Sequence, residues 1–244
     1  MRGSGSAAWL NISFSAVALG VVGSLTGGVG LVAALLYPIG SLIVILGRSQ
    51  LYTENTVTPV AVVLTNLGAL PNMLRLWMVI FVANVLGALI SAATVVYGEV
   101  LPAPALQVLF DEVAGKLEHG FWNATLKGLP SGVGWWRPWP GWWPPAGTPS
   151  PRRLVIYVLA FLIPAGGLVH CIAGSSEVLV SVFAGEVSFS EYLGAFLLPV
   201  TLGNHIGGVF LVALLNYVQV AGSKPGAKTP LSGYTDDSQQ KESS

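Results

Sequence analysis

Charge is what this sequence has least of. Eleven lysines and arginines balance eleven aspartates and glutamates over 244 residues, so 9% of the chain is charged and its formal net charge is zero. An ordinary soluble domain carries about 25% charged residues. Without a basic surplus there is nothing to hold a phosphate backbone, which excludes nucleic acid as a partner. The single cysteine, Cys171, stands in an apolar run, so no disulfide framework exists. The chain has no Gly-x-x-x-x-Gly-Lys phosphate loop, no Cys/His metal spacing and no nucleophile elbow. These absences exclude ATP-driven transport and the enzymes those motifs serve, and no cofactor or metal is expected.

What remains is apolar: 53% of residues are hydrophobic and mean hydropathy is +0.69. The chain therefore reads as one membrane domain, residues 7–221, between a polar start (Met1–Ser6) and a polar tail (222–244) rich in Ser, Lys, Gln and Asp that is expected to be disordered. Ala7–Leu25 reads as a first span, retained rather than cleaved, and Thr26–Gly30 as a turn. Leu31–Leu46 barely reaches the about 20 residues a helical crossing needs, and Val57–Leu67 does not. Together they make one crossing, interrupted by the polar stretch Gly47-Arg48-Ser49-Gln50-Leu51-Tyr52-Thr53-Glu54-Asn55-Thr56. Hydrocarbon tolerates irregular backbone only where protein buries it or where it lines a cavity. Paired broken spans point to a transporter's binding site.

Leu74–Tyr97 reads as the third span, with Arg75 and Trp77 as interface anchors. Gly98–Gly120 holds Glu99, Asp111, Glu112, Lys116, Glu118 and His119 and reads as an extramembrane connection with room for an amphipathic helix. Phe121–Leu129 begins like a span, but Pro130–Pro151 contains five of the eight tryptophans and seven of the sixteen prolines. Leu154–Ala165 resumes membrane sequence and is broken over Gly166–Gly174. Glu177–Ala184 is a short second half, Gly185–Glu191 a turn, and Tyr192–Ala221 the last span.

The pattern repeats. Leu51 in the first break corresponds to His170 in the second, 119 residues on. Ala83-Asn84-Val85-Leu86-Gly87-Ala88 matches Gly203-Asn204-His205-Ile206-Gly207-Gly208 at an offset of 120. The repeats are expected over about 7–97 and 121–221, three spans each; odd parity makes them inverted. With both termini cytoplasmic, Arg2, Arg75, Arg152, Arg153, Lys224 and Lys228 all fall inside, as the positive-inside rule requires. That topology demands a fourth crossing within Phe121–Gly147.

At this point the residues resemble a known family. Leu51-Tyr52-Thr53-x-Asn55-Thr56 is similar to the Leu-Phe-Thr-x-Asn-Thr loop of the formate/nitrite transporters. Gly167-x-x-His170-x-Ile172-Ala173 resembles their central-histidine break, and Thr201-Leu202-Gly203-Asn204-x-Ile206-Gly207-Gly208 their last-helix motif. Lys116-x-x-His119-x-Phe121 resembles their lysine-bearing approach to the fourth span. The likeness covers about 7–221. It departs at Gln50 and Val169, where the family often has carboxylates, at Glu54 and Gly174, and through the added cation Arg48. The tract 131–150 matches nothing in the family, and a frame shift or insertion there is the expectation.

The resemblance implies an all-α polytopic protein of six spans in two inverted repeats, with spans two and five broken, an hourglass like the aquaporin architecture. It implies a homo-pentamer in a bacterial-type inner membrane, passing small monovalent anions or their neutral acids, formate and nitrite foremost. Leu51 and Tyr52 would form the constriction, with His170 as the central proton donor and Thr53 and Asn204 as its hydrogen-bonding neighbours. Lys116 would attract the anion at the mouth. Arg48 and Glu54 are expected to pair with each other, and His205 and Cys171 to serve packing.

Taking a carboxylate-sized ion into low dielectric costs on the order of 20 kcal/mol by the Born estimate, and several after relaxation. Protonating it at neutral pH costs about 4 kcal/mol, so passage as the neutral acid competes. Burial disfavours an imidazolium and an arriving anion favours it, which would couple entry to protonation. Two alternatives remain open. A neutral-solute channel of the aquaporin kind would need Asn-Pro-Ala pairs, and none occurs. A non-transporting scaffold follows if Pro130–Pro151 prevents the fourth span.

Overall fold

The computed structural model describes residues 5–47, 49, 51–55, 57–134 and 151–209. Regular structure there is helical throughout: α1 Gly5–Thr26, α2 Leu31–Leu36, α3 Pro38–Leu46, α4 Val57–Thr65, α5 Leu70–Tyr97, α6 Ala103–Leu117, α7 Gly120–Gly134, α8 Pro151–Ala165, α9 Cys171–Ala184, α10 Phe189–Glu191 and α11 Leu198–His205. A π-helical stretch, Tyr192–Leu197, leads into α11, and residues 206–209 continue from it in the same wide winding. The tail expected to be disordered, the end of the last span and most of the Trp/Pro tract lie outside the described residues.

The boundaries follow local chemistry. α1 stops where Gly27 and Gly28 take φ of +82° and +127°, which side chains with a Cβ disfavour. Pro38 opens α3 at the one helical position where its missing N–H costs nothing. Asn66 accepts from Gly68 N–H ahead of α5, and Pro71 sits in that helix's first turn. Ser188 and Glu191 form a reciprocal capping box that starts the last helical run.

α5, with the short turn before it, is the one described helix long and apolar enough to cross a membrane unaided. Its Leu74, Met78, Val82, Leu86 and Ile90 recur every four residues and are all exposed, forming one apolar stripe on the molecule's outside. At the centre stands α9, buried over Cys171–Ser181 and packed by α1, α5 and α6. α1 also contacts α2, α3 and α6; α8 lies on α2 and α3; and α7 pairs with α11.

Two expectations change. The second break is shorter than Gly166–Gly174, because α9 begins at Cys171 with His170 as its cap. Residues 131–134, expected to be foreign to the fold, are the last turn of α7, with Pro130 inside the helix. Trp77 has a further contact: its ring N–H donates to the Asn55 carbonyl at 3.0 Å, bracing the first break from α5. The expected amphipathic helix is present as α6, whose Ala105, Leu109 and Val113 are buried.

Candidate functional site at two pinned breaks

Each break leaves backbone groups that no helix satisfies, and a membrane interior offers no water to take them. In the first, Tyr52 N–H donates to Asn84 Oδ1 at 2.8 Å. Asn55 N–H donates to the Tyr52 carbonyl at 3.0 Å and Asn55 Nδ2 to the Leu51 carbonyl at 2.8 Å. In the second, Cys171 N–H donates to Asn204 Oδ1 at 2.9 Å. Asn204 Nδ2 then donates to the Gly128 carbonyl at 2.7 Å and reaches the Val169 carbonyl at 3.5 Å. One side chain thus ties α11, α7 and the second break together.

That convergence depends on close approach. A Cβ on Gly203 would run into the Thr125 carbonyl, and one on Gly128 would stand 3.0 Å from the Val200 carbonyl. Small residues are what let membrane helices meet at backbone distance. Gly167, with φ +59°, reverses the chain after α8 and delivers His170 to the start of α9.

The breaks meet at Thr53 and His170. Thr53 Oγ1 lies 3.0 Å from His170 Nε2, and both residues are buried. On the other side of the ring, Ala173 N–H donates to His170 Nδ1 at 3.2 Å, capping α9. A backbone amide can only donate, so Nδ1 holds a lone pair and the neutral ring carries its proton on Nε2, facing Thr53. Leu51 and Tyr52, both buried, precede Thr53 directly. Leu51, Tyr52, Thr53, His170 and Asn204 are therefore brought into one region.

Lys116 stands elsewhere. At the end of α6 it pairs with Glu177 of α9 and, at 3.1 Å, with Glu112 one turn before it. Glu177 also accepts from Tyr37 Oη at 3.2 Å, and its side chain has no exposed surface. Burial works to lower the Lys116 pKa, but the facing Glu177 and Glu112 outweigh burial and raise the pKa above its ordinary value. Its charge is thus engaged by two carboxylates. The Arg48–Glu54 pair lies outside the described residues, since Arg48 and the Glu54 side chain are not described.

The residue-by-residue reading missed Glu177, whose position seven residues past the break matched no motif. It also passed over Asn84 as a ligand of the break, although the repeat match to Asn204 carried that signal. His205, read as packing, bonds to Tyr52 (Oη to Nε2, 2.9 Å).

Comparison with known proteins agrees with this architecture. The family model described as formate/nitrite transporter matches residues 2–218. The chain is similar to inner membrane protein YfdC of Escherichia coli K12, at 33% identity over 193 residues covering 75% of this chain and 59% of the relative; it thus spans well under two thirds of that protein's length. It is 26% identical over 211 residues to a probable formate transporter of Methanothermobacter thermautotrophicus, covering 78% of this chain and 74% of that one. With the formate channel FocA of Haemophilus influenzae it shares 23% over 210 residues, 75% of this chain and 72% of that one. A solved pentameric formate channel with formate bound superposes with a TM-score of 0.69 over 88% of this chain and 94% of that one, at 19% identity, a likeness of fold. With its family model matched over nearly the whole chain, this helical protein belongs to the formate/nitrite transporter family.

Proposed function

We propose that the protein is a transporter, not an enzyme, and passes small monovalent anions or their neutral acids, of the formate and nitrite kind, across a bacterial-type inner membrane. In this reading six spans form two inverted repeats, both termini are cytoplasmic, and protons move with the substrate. The observation that carries it is the joining of the two breaks: Thr53 of the first meets His170 of the second, with Asn204 fixing the backbone around them. Inverted broken spans that meet near mid-membrane are where carriers and channels of such architecture bind their cargo.

The geometry supports roles for each residue. Leu51 and Tyr52 narrow the path and exclude hydrated ions. The Nε2–H of neutral His170 and the Thr53 hydroxyl offer donors to an anion. A second proton on His170 must go to Nδ1, where it competes with the Ala173 N–H. Forming the imidazolium therefore opens the α9 cap, at about 1 kcal/mol for the lost bond, and an adjacent anion offsets that cost. Handing a proton to the anion lets the neutral acid leave. Lys116, engaged by Glu112 and Glu177, would bias the local field as part of that cluster instead of as a bare cation at the mouth.

The exposed stripe on α5 suits lipid tails or a neighbouring subunit, and a homo-pentamer like the solved formate channel is the assembly we infer. Uptake of labelled formate and nitrite into proteoliposomes, with and without an imposed proton gradient, tests the reading. Accumulation that follows the gradient is expected, and empty-vesicle rates for both anions would overturn it.

A further inference from the structure

His205 follows Asn204 directly, and its contacts exceed what packing requires. Tyr52 Oη lies 2.9 Å from His205 Nε2 and 3.3 Å from Nδ1. His205 Nδ1 lies 3.2 Å from the Thr201 carbonyl oxygen. A carbonyl can only accept, so Nδ1 carries a proton. The neutral ring then has its lone pair on Nε2, and the Tyr52 hydroxyl donates to it. This is the opposite tautomer to that of His170, and both are fixed by a backbone group.

Aromatic neighbours hold the pair in place. Phe81 meets the Tyr52 ring edge-on at 4.9 Å, and Trp77 meets the His205 ring at 5.0 Å. Tyr52 is buried and His205 partly exposed, so the imidazole is the more accessible of the two. The elements packed on α11 carry Lys127 on α7, Cys171 and Glu177 on α9, and Tyr192 in the π-helical stretch; α5, which brings Trp77, carries Arg75 and Tyr97. Among the described residues none of these bonds to the ring, and Tyr52 is the titratable group in contact with it. Arg48 and the side chain of Glu54, in the same break as Tyr52, lie outside the described residues.

We propose that Tyr52 and His205 form a second anion-contacting station beside Thr53 and His170, in which His205 is a positioning residue that decides whether the Tyr52 phenol donates to a passing anion. The proposal rests on the anion-transport reading above. With His205 neutral, the phenol proton is spent on Nε2. When Nε2 takes a proton from hydronium, which leaves as water, its new N–H donates to Tyr52 Oη, while the Nδ1–H bond to Thr201 persists. The phenol's own proton is then free to turn toward a carboxylate or nitrite oxygen. One proton is taken up and no other covalent bond changes. Unlike protonation of His170, this step costs no backbone hydrogen bond, so the two histidines respond to acid in different ways.

The test compares formate uptake into proteoliposomes at acid and at neutral pH for the wild type, Tyr52→Phe and His205→Asn. Tyr52→Phe keeps both ring contacts and removes only the hydroxyl. The ratio of acid to neutral uptake should fall about tenfold in either variant, the size of one lost charge-assisted hydrogen bond, and no further in the double variant. A residue that only packs would lower uptake at both pH values and leave the ratio alone, and a wild-type ratio in either single variant would overturn the proposal.

A second measurement separates this from failure of the transport reading. In bilayers containing ¹⁵N-histidine-labelled protein, the His205 signal is identified by its loss in His205→Asn. Adding formate should convert its Nε2 from unprotonated to protonated in the wild type and not in Tyr52→Phe. If that response appears without any uptake, transport is wrong and the station stands. An unchanged His205 signal overturns the station even where uptake is normal.

Discussion

Tyr52 and Cys171 each give a backbone N–H to an asparagine, Asn84 at 2.8 Å and Asn204 at 2.9 Å, 32 and 33 residues further along the chain. The two breaks are thus held by one kind of bond, yet their surroundings differ. Asn84 follows Ala83 on α5, a helix that packs against α9. Asn204 follows Gly203 on α11, drawn so near α7 that the Thr125 carbonyl occupies the space a Cβ would need. The first break braces itself through Asn55 and Trp77; the second is short and uses a histidine as its cap. A common backbone frame leaves the side chains free to diverge, so that in the proposed function one loop would narrow the path while the other would supply its proton chemistry.

The largest expected effect probes that asymmetry in packing. Gly203→Ala should abolish assembly of the folded protein, because its methyl meets main chain instead of a movable side chain, which puts the cost above the about 1–3 kcal/mol of ordinary overpacking. Ala83→Gly, the opposite exchange at the matching place, should cost no more than about 1 kcal/mol of helix propensity. Thermal unfolding in detergent followed by size exclusion checks both, and similar losses would dissolve the distinction.

The buried charges give the next effect. Lys116→Met strands the buried Glu177 and should cost about 3–5 kcal/mol, Glu177→Leu should cost less because Glu112 still holds the lysine, and the double change should cost far less than the sum of the two. A double-mutant cycle on detergent unfolding measures the coupling; additive losses would mean the pair is not formed. Since its carboxylate neighbours raise the Lys116 pKa, the lysine's contribution to the pair is present at neutral pH and is lost as pH climbs through the raised lysine value on the alkaline side.

Smallest is the bond that joins the breaks. Thr53→Val keeps the shape and deletes the hydroxyl facing His170. It should lower stability by about 1 kcal/mol while slowing formate uptake more than that figure alone would suggest, because it also removes a donor from the path. Unaltered uptake would remove Thr53 from the site.

Much of this was legible in the residues. Loop chemistry betrayed the first break, since Arg48, Gln50 and Glu54 cannot lie in a continuous apolar helix, and the Asn84/Asn204 match pointed at the two asparagines that hold the breaks. Two features were not legible. That His170 caps α9, shortening the second break, depends on a ring nitrogen facing Ala173, which spacing does not specify. The Lys116–Glu177 pair joins residues 61 apart and exists only because α6 folds back against α9. His205 was undervalued for the same reason: its partner Tyr52 lies 153 residues away.

The central claim, that weak acids carry protons past His170, is tested most directly by His170→Asn in proteoliposomes. Asparagine is a good helix cap, so the folded assembly should survive while the acidic proton is gone. Formate uptake driven by an imposed proton gradient should vanish, with at most a pH-insensitive leak of the anion remaining. Formate or nitrite accumulation that still follows the gradient in this variant would contradict the account.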